Sequence, residues 1–274
     1  MASAGSKIKI GFHLGPQHGE YRRMRDQWLA AEELGVDALY SADHFFAQSI
    51  EIDAGKGERP PSKPGANFEG MTIQAAMAAT TTRPEIGCIV HAIGYRNPHL
   101  MADMARTIDH ISGGRFILGL GSGYLEQDYL EYGYAWTSQK ERSLELAAKI
   151  PIIKDRLEQL EPPPLRRMPL LIGAMGEKIG IPTVARHADI WHVYGTAEVV
   201  AAKIERLKEC CAEIGRPFEE IELATWYLPG IMGISNSPDD ILALGIRNLI
   251  NLQAGPDWDL GIIRELIAWR DNLA

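Results

Sequence analysis

Apolar positions along the chain follow two alternating rhythms. Short apolar runs that suit a buried strand are followed by stretches in which apolar residues recur every three or four positions, the helical period. Lys7 to Leu14 reads as a first strand and about Glu20 to Leu34 as the helix after it, stopped by Gly35. Ala38 to Ala42 is a second strand, then His44 to Phe68 is irregular and rich in Gly and Pro, which predicts a long loop over 44–68. Helix Met71–Thr82, strand Glu85–Ile93, helix Asn97–Ile111 and strand Arg115–Leu120 follow. A long helical stretch, Ser138–Leu160, carries Pro151 as an expected kink or break. Strand Leu170–Gly173, helix Glu177–His187, strand Ile190–Tyr194 and helix Ala197–Ile214 come next. Strand Ile221–Tyr227, a short helix near Pro238–Leu244, strand Arg247–Leu252 and helix Leu260–Asn272 complete the pattern.

Repeated strand–helix units favour parallel strands joined by right-handed crossovers. A length of 274 residues would suit two average domains, at about 150 residues each. Eight strand–helix units in that length fit one closed barrel better, since such barrels run to roughly 250 residues. The expected fold is therefore α/β: a single TIM-type (β/α)8 barrel over 1–274, with the 44–68 loop near its mouth.

Composition narrows the function. With 46% apolar and 23% charged residues, the chain is globular rather than disordered. A net charge of −8 speaks against a nucleic-acid binder, which needs a basic face. The cysteines, Cys88, Cys210 and Cys211, have no zinc spacing and fit a reducing compartment. Met1 to Ser6 lacks the apolar core of a signal peptide, and no apolar stretch reaches the roughly 18 residues of a membrane span. A soluble, cytoplasmic protein acting on a small molecule is the expectation.

In such barrels chemistry sits where strands end. Asp43 and His44 end the second strand. His44 could move a proton near neutrality, or simply cap the strand. His91 ends the third strand and reads either as a mouth residue or as a satisfied interior histidine, while Cys88 reads as packing. His13 and His18 are five apart, not the His-x-His of barrel metallohydrolases, so no metal site is expected. The Gly119–Gly123 run lacks the third glycine of a dinucleotide fingerprint and suggests close approach by another backbone or a flat ligand. Gly173, Ala174, Met175 and Gly176, followed by Lys178, open a helix and suit an anion such as phosphate, or a plain tight turn.

Taken in order, Ser41-Ala-Asp-His-Phe45, Tyr95-Arg-Asn-Pro98, Ile108-Asp-His-Ile-Ser-Gly-Gly-Arg115, Leu118-Gly-Leu-Gly-Ser-Gly-Tyr124, Leu171-Ile-Gly-Ala-Met-Gly-Glu-Lys178 and Val184-Ala-Arg-His-Ala-Asp-Ile-Trp191 resemble the luciferase-like monooxygenase superfamily. The similarity is greatest to its coenzyme F420-dependent oxidoreductase branch. That resemblance implies a tricyclic ring in the barrel mouth, backed by a bulge with a non-prolyl cis peptide at Cys88–Ile89. It assigns cofactor contacts to Asp43, His44, Cys88, Ile89, His91, Gly121, Gly123 and Tyr124, and the phosphate to the turn Gly173, Ala174, Met175 and Gly176. His44 becomes the catalytic proton donor or acceptor, and Phe12, His13, Phe45, Tyr124 and Trp191 shape a substrate pocket, with the long loop as partial lid. The sugar-phosphate dehydrogenases of this branch carry a glutamate where this chain has Tyr124, with Glu126 the nearest acid, which points away from a sugar phosphate. Two alternatives share the resemblance: an FMN-dependent monooxygenase, and a non-catalytic cofactor-binding barrel. A homodimer is also implied.

Overall fold

A computed structural model describes residues 7–47, 66–230, 232–233, 235 and 237–273. The first half contains β1 (Lys9–Gly15), α1 (Tyr21–Leu34), β2 (Ala38–Ser41), α2 (Gly70–Thr80), β3 (Glu85–Cys88), β4 (His91–Ala92), α3 (Pro98–Ser112), β5 (Phe116–Gly121) and α4 (Glu126–Glu131). The second contains α5 (Gln139–Gln159), β6 (Leu170–Gly173), α6 (Gly180–His187), β7 (Ile190–His192), α7 (Ala197–Glu213), β8 (Glu222–Leu228), β9 (Met232–Gly233), α8 (Pro238–Ala243), β10 (Asn248–Ala254) and α9 (Gly261–Asn272).

Strands pair in parallel in the order β1, β2, β3, β5, β6, β7, β8, β10, and β10 returns to β1 with Lys9 opposite Asn248. The sheet thus closes into an eight-stranded parallel barrel ringed by helices, the TIM barrel expected from the strand–helix count. β9 folds back antiparallel on β8 outside that ring.

Side chains alternate across the barrel wall, as a period of two requires. Ile10, Phe12 and Leu14 of β1, and Phe116, Leu118 and Leu120 of β5, pack outward against the helices. Tyr40, Ile117, Leu171, Ile190 and Ile250 point inward and fill the barrel. Size is matched across this interior: a methyl group on Gly11 or Gly87 would lie 3.0 or 3.1 Å from the Tyr40 ring.

Three expectations need correction, and one helix is added. The third strand does not run to Ile93 but breaks after Cys88, and β4 resumes the pairing with β5. Pro151 does not break its helix, because Leu146, Ile150 and Ile153 of α5 bury one face and offset the lost hydrogen bond. α6 begins at Gly180 rather than Glu177. Finally, α4 was not anticipated, since six residues are too few to show a helical period. Residues 48–65 of the expected 44–68 loop lie outside the described residues. Among the described residues, no helix is long and apolar enough to cross a membrane.

Candidate active site

The break in the third strand creates the first feature of the mouth. Ile89 and Val90 bulge between β3 and β4, with the cis peptide at Ile89–Val90, one bond later than the expected Cys88–Ile89. Three glycines make room for this bulge. A methyl on Gly119 would collide with the Cys88 carbonyl, and one on Gly121 would collide with the Val90 side chain. A methyl on Gly173 would come within 3.0 Å of Val90. The close approach suggested by the Gly119–Gly123 run is therefore that of the chain itself. Ile89 and Val90 stay half-buried above this seat, giving the mouth an apolar face. Gly123 serves another need: it has φ +73°, and a methyl there would strike the hydroxyl of Tyr129.

Asp43 and His44 are neighbours that go opposite ways. Asp43 is buried, and Arg96 donates to it twice, from Nη1 to Oδ2 at 2.6 Å and from Nη2 to Oδ1 at 2.7 Å. Arg96 also pairs with Glu69, the residue that caps α2. His91 is fully buried, with Nδ1 3.3 Å from Asp43 Oδ2 and Nε2 3.1 Å from Gln74 Oε1. It is thus an interior histidine and does not open to the mouth. Burial alone would raise the Asp43 pKa, but the charges of His91 and Arg96 prevail and hold it below the usual carboxylate range. Cys88 is buried beside this cluster; burial, then the Asp43 charge, push its thiol well up, so it is no nucleophile.

His44 belongs to a different line. Its Nδ1 lies 2.7 Å from Oδ2 of Asp128, and its Nε2 3.1 Å from the Tyr124 hydroxyl. Asp128, on α4, is wholly buried and also accepts from Tyr95 Oη at 2.9 Å and the Phe45 backbone N–H at 3.1 Å. Burial, then the Asp128 charge, raise the Tyr95 pKa, so Tyr95 remains a donor. Phe45 packs on Tyr95, Tyr132 and Tyr134 with centroids 4.6, 3.9 and 6.2 Å away, forming an aromatic wall beside His44.

His13 points into the barrel, as its alternation with Phe12 requires, and His192 does the same on β7. Both flank Trp226, at 5.2 and 4.3 Å between centroids. Burial lowers His13 to about 4 and His192 to about 3, so both are neutral at neutral pH. Phe12 and Trp191, expected in the pocket, instead face the helix layer at 0% exposure, because their strand positions have outward parity. At the turn after β6, the carbonyls of Ala174 and Met175 accept from Trp191 Nε1 at 2.9 Å and Lys203 Nζ at 3.0 Å, while Gly176 is exposed. Lys203 thereby brings a cation beneath this turn.

Sequence reasoning missed Asp128, Trp226 and Lys203. The signal for Asp128 was present but faint: Glu126 and Asp128 form an acidic first turn of a short helix. Among the described residues, no group of three or more His, Cys, Asp or Glu could hold a metal.

A parallel barrel with a strand-three bulge and a histidine at its mouth defines a class, and the sequence supplies the family. Residues 5–236 match the luciferase-like monooxygenase family, and the chain belongs to it. Among curated relatives, the F420-dependent glucose-6-phosphate dehydrogenase of Amycolatopsis mediterranei is 29% identical over 149 residues, covering 54% of this chain and 41% of that protein. The phthiodiolone/phenolphthiodiolone dimycocerosates ketoreductase of Mycobacterium bovis is 33% identical over 132 residues, covering 46% of this chain and 34% of its own length. The matches thus span about two fifths or less of these relatives. Among solved structures, an F420-dependent secondary alcohol dehydrogenase in complex with an F420-acetone adduct superposes with a TM-score of 0.78 at 16% identity, covering 96% of this chain and 99% of that one. The coenzyme F420-dependent tetrahydromethanopterin reductase of Methanopyrus kandleri gives 0.71 at 16% identity, covering 96% of each chain.

Proposed function

We propose that this protein is an F420-dependent oxidoreductase that moves a hydride between the deazaflavin and a small organic substrate. The observation that carries the reading is the Asp128–His44 pair, which sets an oriented imidazole at the mouth of a barrel whose strand-three bulge offers an apolar seat. The relatives named for F420 and the barrels of two F420-dependent enzymes support the choice of cofactor.

The residues present fit such a group. The half-buried Ile89 and Val90, over Gly121 and Gly173, suit one face of a flat ring. The 173–176 turn, with Lys203 below it, suits a phosphate. Gly121, Gly173, Ala174, Met175 and Gly176 therefore act through backbone and clearance. Cys88, Asp43 and His91 act from behind, by fixing the bulge and the end of β2. When bound, the deazaflavin supplies or accepts the hydride. His44 takes or gives the accompanying proton, held in one orientation by Asp128. Phe45 and Trp226 border the substrate, with His13 and His192 buried behind Trp226, and the uncharged imidazoles suit a neutral substrate group better than a sugar phosphate. The same reading has the chain work as one domain, as a homodimer and in the cytoplasm.

Quenching of F420 fluorescence on titration with the protein tests the cofactor. Saturable quenching, with oxidation of reduced F420 when small ketones are added, is expected. Tight retention of FMN without F420 affinity would favour a flavin monooxygenase, and F420 binding without turnover across acceptors a carrier.

A further inference from the structure

We propose that the Tyr124 hydroxyl is the atom that exchanges a proton with the substrate, and that Asp128, His44 and Tyr124 form one relay from the protein interior to the mouth. The proposal deepens the hydride-transfer reading above and rests on it. The three groups lie in a row of rising exposure: the Asp128 side chain is 0% exposed, that of His44 15%, and Tyr124 50%. Each link is within hydrogen-bond distance, 2.7 Å from Asp128 to His44 and 3.1 Å from His44 to Tyr124.

The direction of each link follows from the donors. Asp128 accepts the Phe45 N–H on Oδ1 and the Tyr95 O–H on Oδ2, so both its oxygens act as acceptors. With Asp128 as the carboxylate, His44 Nδ1 carries the hydrogen that faces it. In a neutral imidazole the other nitrogen is an acceptor, so Nε2 receives the Tyr124 O–H. The Tyr124 ring stands edge-on to His44, 5.3 Å between centroids, and places its hydroxyl over Nε2. Tyr124 is the most exposed of the three groups.

In the oxidative direction a deazaflavin, once bound, would accept the hydride lost from the carbinol carbon of an alcohol. The alcohol proton passes to Tyr124 Oη, and the Tyr124 proton passes to His44 Nε2. The alcohol would become a carbonyl compound, its two electrons would go to the deazaflavin, and the imidazolium is held by the Asp128 carboxylate. Reduction of a carbonyl runs every transfer backwards. Tyr124 is thus the catalytic residue, His44 its proton reservoir, and Asp128 a positioning residue.

The test has two arms. NMR of 15N-histidine-labelled protein without cofactor reads the His44 tautomer. Wild type is expected to hold its proton on Nδ1, with Nε2 showing the shift of a hydrogen-bond acceptor. Tyr124→Phe should remove that shift, and Asp128→Asn should move a large share of the proton to Nε2. In the second arm, reduced F420 is offered with a panel of small ketones. Tyr124→Phe should lower kcat by about 100-fold or more, within the usual range for a lost acid or base, at F420 concentrations that fluorescence quenching shows to be saturating for each variant. A wild-type proton on Nε2, an Nε2 signal unmoved by Tyr124→Phe, or a kcat kept within threefold would each overturn the relay. Absence of F420 quenching by wild type would instead overturn the cofactor reading. The NMR arm needs no cofactor and still decides on the relay.

Discussion

Two aspartate–histidine pairs start from adjacent residues, Asp43 with His91 and His44 with Asp128, and they are built to opposite ends. Around Asp43, a doubly bonded Arg96 and the buried His91 close a network with little contact with solvent, and the α2 cap Glu69 joins it from the surface. Around Asp128, uncharged donors fill the carboxylate on the inside, and the histidine it orients leads outward to a half-exposed tyrosine. A charge balanced on every side is a fixture, because any change leaves an unpaired ion in low dielectric. A carboxylate that aims a histidine toward solvent leaves one proton free to travel. Asp43 and His44, adjacent on the chain, are thereby separated in purpose.

Substitutions should keep the two pairs apart. Asp43→Ala leaves the Arg96 cation without its main partner and should cost about 3–5 kcal/mol of stability, read from urea unfolding. A loss under about 1 kcal/mol would mean the network is not the fixture described. His44→Gln should do the reverse. The amide can still donate to Asp128, so Tm should move by only a few degrees, while turnover with reduced F420 falls about 10²–10⁴-fold. Comparable damage to both quantities would erase the distinction.

Gly119→Ala tests the bulge that lies between the pairs. The added methyl meets the Cys88 carbonyl, which is backbone and yields little, so about 1–3 kcal/mol should be lost. Gly121→Ala meets the Val90 side chain and should cost less, weakening F420 quenching more than it lowers Tm. The smallest effect concerns pH. His13 and His192 have folded pKa values of about 4 and about 3, below the unfolded value near 6.5. Their contribution is intact above pH 6.5 and shrinks as pH falls toward those values, since the unfolded chain binds protons first. Between pH 6.5 and 5.5 each should cost about 1 kcal/mol, and His13→Gln should flatten the slope of a denaturation series. Asp43 contributes in the same direction but lower: its share is present above the ordinary carboxylate range and is lost only as pH falls well beneath it.

Much of the barrel is legible in the chain. The strand parity of β1 and β5, the helix stop at Gly35 and the Asn97–Pro98 helix start all follow from local rules, and the structure agrees with them. The same parity, applied residue by residue, would have turned Phe12 and Trp191 to the helix layer and His13 into the barrel. The position of His44 at a strand end was also readable. Its partner was not, because Asp128 lies 84 positions away on a six-residue helix with no period of its own.

The sequence by itself determined that eight strand–helix units close into a barrel, and that glycines cluster where β5 and β6 reach the mouth. Hydrophobic period and backbone freedom act over a few residues, so they leave a local trace. Only the tertiary structure decided what fills the cleared space, which way Asp43 and His44 part, and which carboxylate orients the imidazole. Those outcomes depend on contacts between segments far apart in the chain, where burial and charge pairing act and no local pattern records the partner.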